Sequence, residues 1–167
     1  MAKFTHEYSN YPDAPIDLVG YKNVNDTIGD LINQINALKA YQLTGQLEVV
    51  NNDDVFNYDV EVSYKNKDYY RVSLLNTANN HEQIILRNSD GVYVLTPSLN
   101  KSFKFQSEWP NNNSQSYLLH SIINDIKSDV DYIFEKNDAG YVITSKVNYS
   151  NNKDLVSQKV YLDNDKN

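Results

Sequence analysis

Apolar and polar positions repeat with two different periods along this chain. From Tyr41 the period is two: Tyr41, Leu43, Gly45, Leu47 and Val49 interleave with Gln42, Thr44, Gln46 and Glu48. Asn51-Asn52-Asp53-Asp54 supplies a turn, and Phe56, Tyr58, Val60, Val62 and Tyr64 then alternate with Asn57, Asp59, Glu61 and Ser63. Such runs predict antiparallel strands with one face on a core and one in water. Lys65-Asn66-Lys67 turns the chain into a strand over residues 69–75. A polar loop leads to a hairpin of residues 82–88 and 91–96 joined at Ser89-Asp90-Gly91, because Gly takes positive φ without steric cost. Pro97 ends that strand, having no N–H for a ladder. Alternation resumes over residues 101–108, and Trp109-Pro110-Asn111 turns the chain towards a helix.

The second period is helical. Ile28, Leu31, Ile32, Ile35 and Leu38 form one stripe in a helix that Asn25 or Thr27 can cap. Leu119, Ile122, Ile123, Ile126 and Val130 form another, in a helix starting at Ser114 or Ser116. Three strands follow, over residues 129–136, 141–149 and 155–162. The last has no visible follower, which predicts an unpaired sheet edge. Residues 1–22 carry no sustained period. They read as an extended leader or tether, which divides the chain into residues 1–24 and a folded domain at 25–167.

With 40% hydrophobic and 22% charged residues in 167, the chain is globular and long enough for one core. A net charge of −7 with only Arg71 and Arg87 as arginines argues against nucleic acid as a partner. The absence of cysteine removes disulfides, thiolate catalysis and cysteine zinc sites. No apolar run approaches the ~20 residues of a membrane-spanning helix. His6, His81 and His120 fit no metal-binding spacing, and Asp53-Asp54 and Asp163-Asn164-Asp165 lack the Gly and distal Glu of a calcium loop. No serine sits in a nucleophile elbow, and no glycine-rich loop cradles phosphate. The reading is a protein with no catalytic residues, no metal and no cofactor. The fourteen tyrosines change the picture in another way. With Tyr58, the aromatic residues Tyr64, Tyr70, Tyr93, Phe103, Phe105 and Trp109 either fill a sheet-on-helix core or line a concave groove for a lipid chain or protein partner. These six and Arg71 are the candidate partner- or lipid-binding residues.

The order of one helix, six meandering strands, a second helix and three strands resembles the lipoprotein-carrier family of LolA and LolB. Tyr70-Arg71-Val72, Asp90-Gly91, Tyr93, Thr96-Pro97 and Lys101 stand where that family has its basic strand residue, turn, aromatic, proline and polar positions. The run from Asp90 to Pro97, then Asn100-Lys101-Ser102-Phe103, then Glu108-Trp109-Pro110-Asn111-Asn112, is similar to the clostridial branch of germination lipoproteins, the GerS type. The resemblance covers residues 26–162. It implies an α+β fold in which a strongly curved antiparallel sheet, a half-barrel, holds two helices on its concave face. It implies a non-catalytic lipoprotein needed for spore cortex modification that binds and enables a zinc-dependent N-acetylmuramoyl-L-alanine amidase of the CwlD type. A carrier of lipid or lipoprotein acyl chains is the alternative. The implied location is extracytoplasmic, between the spore membranes, with Met1-Ala2 marking where a leader and lipid anchor were removed. The open final edge further suggests a homodimer built by strand exchange. Light scattering that shows a dimer at high micromolar concentration is the expected outcome; a monomer there counts against it.

Overall fold

The computed structural model describes residues 2–8, 29, 33–110, 115–149 and 153–163, with backbone alone for 2–8 and 163. The described elements run β1 (Ala2–Tyr8), α1 (helical residues 33–37), β2 (Ala40–Asn51), β3 (Asp54–Lys65), β4 (Tyr69–Asn76), β5 (His81–Asn88) and β6 (Gly91–Thr96). A 3-10 turn at Pro97–Leu99 leads to β7 (Lys101–Phe105), α2 (Leu119–Ser128), β8 (Ile133–Asn137), β9 (Gly140–Lys146) and β10 (Ser157–Asp163).

All ten strands form one open sheet in the order β7-β6-β5-β4-β3-β2-β1-β10-β9-β8. Neighbours are antiparallel except β1 and β10, which run parallel with Ala2 opposite Gln158 and His6 opposite Leu162. The stretch read as a leader is extended, but over Ala2–Tyr8 it is a strand inside the sheet, paired on its other side with β2. The boundary at residues 24 and 25, and most of the first helix, lie outside the described residues. The final strand is not an edge either. β10 is flanked by β1 and β9, so its ladder groups are occupied and strand exchange through that edge loses its reason. The edges among the described residues are β7 and β8.

The α+β character, the six-strand meander and the hairpin at Gly91 stand as expected. Gly91 sits at φ 142°, and a Cβ there would lie 2.9 Å from Lys104 Cε. Asparagine side chains close many of the turns. Asn76, Asn79, Asn88 and Asn137 each accept a backbone N–H two residues on through Oδ1, which explains part of the chain's richness in asparagine.

The period-two residues meet the helices on one face of the sheet. Leu43, Val62, Val72 and Ile85 lie in one cross-strand row and are buried, together with Ile143 and Val160 from the second meander. Leu119, Ile122, Ile123 and Ile126 of α2 and Ile35 of α1 pack into the same core. Two details of the helix differ from the sequence pattern. α2 begins after Leu118 with no side-chain cap, and it ends at Ser128, so Val130 lies beyond the stripe and is 92% exposed. The buried amide of Gln158 ties α2 down: its Nε2 donates to the Ile122 carbonyl at 3.3 Å and to Ser145 Oγ at 3.0 Å. Ile126 has no exposed surface. Replacing it by alanine is expected to cost about 2–5 kcal/mol, read as a lower urea midpoint at unchanged slope.

Candidate binding surface

One end of the sheet gathers aromatic side chains because the register stacks them. Tyr41 pairs with Tyr64, Tyr64 with Tyr70, and Tyr70 with Arg87, all pointing to the helix-covered face. The Tyr41 and Tyr64 rings stack at 4.9 Å, Tyr64 and Tyr70 lie 4.9 Å apart, and Trp109 meets Tyr70 edge-on at 5.4 Å. From α2, His120 lies against Tyr41 and Tyr64 at 5.9 and 5.4 Å. Offset and edge-on arrangements of this kind suit the ring quadrupoles. The Arg87 guanidinium donates to the Trp109 carbonyl oxygen and faces Asp68 at 3.9 Å, which fixes the Trp109 corner, with its cis Trp109-Pro110 peptide, onto β5.

Burial sets the charge states here. It pushes the Tyr70 hydroxyl up to about 12, reinforced by Tyr64 and opposed by Arg87. It holds His120 below the ordinary histidine range, so the imidazole stays neutral, with Nδ1 buried and without a hydrogen-bond partner among the described residues. The aromatic rings and His120 therefore form an uncharged, packed wall, with the Arg87 guanidinium at its border.

Of the seven candidate residues, Tyr64, Tyr70 and Trp109 come together. Tyr93, Phe103 and Phe105 do not join them, and Arg71 meets Tyr64 and Tyr70 only at the border of a shallow depression. Arg71 and Tyr93 belong to the opposite face, where Arg71 pairs with Glu61 at 3.4 Å and Lys104 lies 5.5 Å over the Tyr93 ring. Phe103 and Phe105 share the helix-side face but stand on the edge strand β7, 53% and 46% exposed. Period-two counting put all these aromatics on one face only because it did not follow parity from strand to strand. Arg87 and His120 were missed as members of the site. The one available signal for Arg87 was its rarity as one of two arginines.

Two clefts flank this architecture. A shallow open depression of about 330 Å³ lies at the same end, bordered by Lys65, Tyr69, Tyr70, Arg71 and Arg87. A larger polar cleft of about 530 Å³ runs between α2 and residues 146–148, lined by Ser121, Asn124, Asp125, Ser128 and Asp129. At its wall the Tyr149 hydroxyl donates to Asp125 Oδ2 at 3.2 Å. Burial raises Asp125 to about 6, and the Tyr149 hydrogen bond only partly offsets this. Among the described residues no group of three or more His, Asp or Glu is placed to hold a metal ion.

No family model matches the chain. Over 141 residues it is 40% identical to the sporulation protein YdcC of Bacillus subtilis strain 168. The match takes in 84% of this chain and 42% of that relative, so the chain spans less than half of the relative's length. One chain from the structure of the CwlD amidase from Clostridioides difficile in complex with the GerS lipoprotein superposes with a TM-score of 0.40 at 17% identity, covering 87% of this chain and 81% of that one. A superposition that loose establishes neither a shared fold nor a shared role.

Asp125 yields a test of the electrostatics. A carboxyl whose folded pKa is raised binds its proton more tightly in the folded state, so its charged form opposes folding above about pH 6. Asp125→Asn keeps an acceptor for Tyr149 and removes that opposition. The variant is expected to be more stable than the parent at pH 7, with the gain shrinking as pH falls from about 6 towards the ordinary value of 3.8, followed by thermal melts across that range.

Proposed function

We propose that this chain is a non-catalytic domain of a sporulation protein that works by binding another protein. The observation that carries the reading is the 40% identity over 141 residues to a sporulation protein. The partner is a zinc-dependent N-acetylmuramoyl-L-alanine amidase, and binding enables that enzyme to modify the spore cortex. This finer part rests on the run from Asp90 to Pro97 and on Glu108-Trp109-Pro110, which resemble the germination lipoproteins. The same resemblance supports a half-barrel of the carrier type and an anchored, extracytoplasmic location.

The packing favours this reading over an acyl carrier. Tyr64, Tyr70 and Trp109 spend their ring faces on one another and on His120. The two clefts described above are open to solvent and bordered in part by charged or hydroxyl side chains, which does not enclose the methylene run of an acyl chain.

The test is to mix the chain with the zinc-dependent amidase of its own sporulating organism. Co-elution on size exclusion and a rise in amidase turnover on peptidoglycan are expected. Separate elution with unchanged turnover overturns the proposal.

A further inference from the structure

The charge of this protein is unevenly placed. Although it carries twenty-two acidic and fifteen basic residues overall, five of the basic ones converge at the end of β2, β3, β4 and β5. The register brings them there: Ala40, next to Lys39, pairs with Lys65, Lys65 with Tyr69, and Tyr70 with Arg87, with Arg71 one residue along. The Lys39 carbonyl accepts the Asn66 N–H at 2.8 Å, which fixes Lys39 beside the turn that carries Lys65 and Lys67. Among the described residues the acids at this end are few, with Glu108 standing just before the Trp109 corner. Glu61 pairs with Arg71 at 3.4 Å, Asp68 faces Arg87 at 3.9 Å, and Asp90 stands in the next turn.

Once those pairs are set aside, three exposed lysines remain. Lys39, Lys65 and Lys67 form no ion pair among the described residues. Beside them Tyr69 leaves 48% of its surface in solvent. Lys67 occupies its place at a price in backbone strain, since its φ is 58°, a left-handed conformation that Gly or Asn adopts at lower cost.

We propose that this end of the sheet is a docking face for an anionic phospholipid bilayer. The arginines, whose planar forks give bidentate recognition of a fixed carboxylate, are already engaged. The free cations are all lysines: compact charges on flexible stems that suit a fluid, laterally mobile layer of phosphates rather than one geometry. Tyr69 supplies the amphipathic ring that favours the headgroup level. The depression beside it is shallow, as a flat partner requires. Overall the chain carries a net charge of −7, so a local excess of lysine at this end favours an approach to an anionic membrane with this end down. The inference is independent of the amidase reading.

The test is co-sedimentation of the whole chain with vesicles of phosphatidylglycerol mixed into phosphatidylcholine, against phosphatidylcholine alone. Binding to the anionic vesicles only is expected, with release as salt rises and the screening length falls from about 10 Å to about 3 Å. Replacing Lys39, Lys65 and Lys67 together by Gln is expected to weaken binding about a hundredfold, each lysine contributing about fivefold. The matched change at Lys101, Lys127 and Lys153 is expected to leave it within a few-fold. Lys67→Gly separates structure from docking, since it relieves the left-handed strain and raises the melting temperature yet weakens vesicle binding. Equal binding to neutral vesicles, or equal loss in both triple variants, overturns the proposal. Tighter binding to soluble poly-L-glutamate than to vesicles overturns it in favour of an acidic protein partner.

Discussion

The apolar stripe of α2 is the contact on which the rest of the structure depends. Leu119, Ile122, Ile123 and Ile126 are nearly or wholly without solvent exposure, and they meet residues from both parts of the sheet. A sheet of this width has no stable inner face unless something apolar covers it, because exposed Val, Ile and Leu rows cost free energy in proportion to their area. A helix of ten residues laid over that face removes water from strands that lie far apart in sequence. Gln158 then fixes its position, since a buried amide must find partners and finds them in the Ile122 carbonyl and Ser145.

At one end the same face changes from aliphatic to aromatic. Tyr41, Tyr64, Tyr70 and Trp109 replace Leu43, Val62 and Val72, and their size closes the space beyond the helix start. Tyrosine and tryptophan combine a large apolar body with a polar tip. This lets the core end in groups that still reach water or backbone, as when Tyr64 Oη accepts the Lys67 N–H at 3.1 Å. Arg87 completes the arrangement from β5. The packed aromatic wall and the basic rim above it are therefore two consequences of one register: side chains that point inward close the core, and their neighbours, one residue away, face solvent.

That neighbour relation bears on function more than any single residue does. The likeness to a sporulation protein is what the proposed role starts from, and both proposals have the chain act through contacts with a partner. The two readings use different regions. The motif from Asp90 to Trp109 lies along β6, β7 and the corner that follows. The lysines with no ion pair among the described residues lie at the end of β3, in the turn after it and just before β2.

Much of the strand pattern was legible in the residues alone. Alternation over Tyr41–Val49 and Phe56–Tyr64, the Asp90-Gly91 turn and the stripe from Leu119 to Ile126 each depend on neighbours a few positions away, which is the range over which backbone geometry and burial are coupled. Three features needed the tertiary structure. Ala2–Tyr8 alternates Ala2, Phe4 and Tyr8 with Lys3, Thr5 and Glu7, but so short a run names no partner, and its place inside the sheet comes from β2 and β10, which present ladder groups to either side of it. Whether β10 is an edge is likewise a question about β1, more than a hundred residues away. Alternation within β4 alone sets Arg71 opposite Tyr70, but the sorting of Tyr93 from Tyr64 and Tyr70 came from register, since a side chain's face is inherited from its cross-strand partner as well as from its own parity. Local sequence determined what each segment can form and which neighbours a tight turn gives it; the pairing of β1 with β2 and β10 decided the edges and the continuity of the sheet, because those ladders join segments that no turn places side by side.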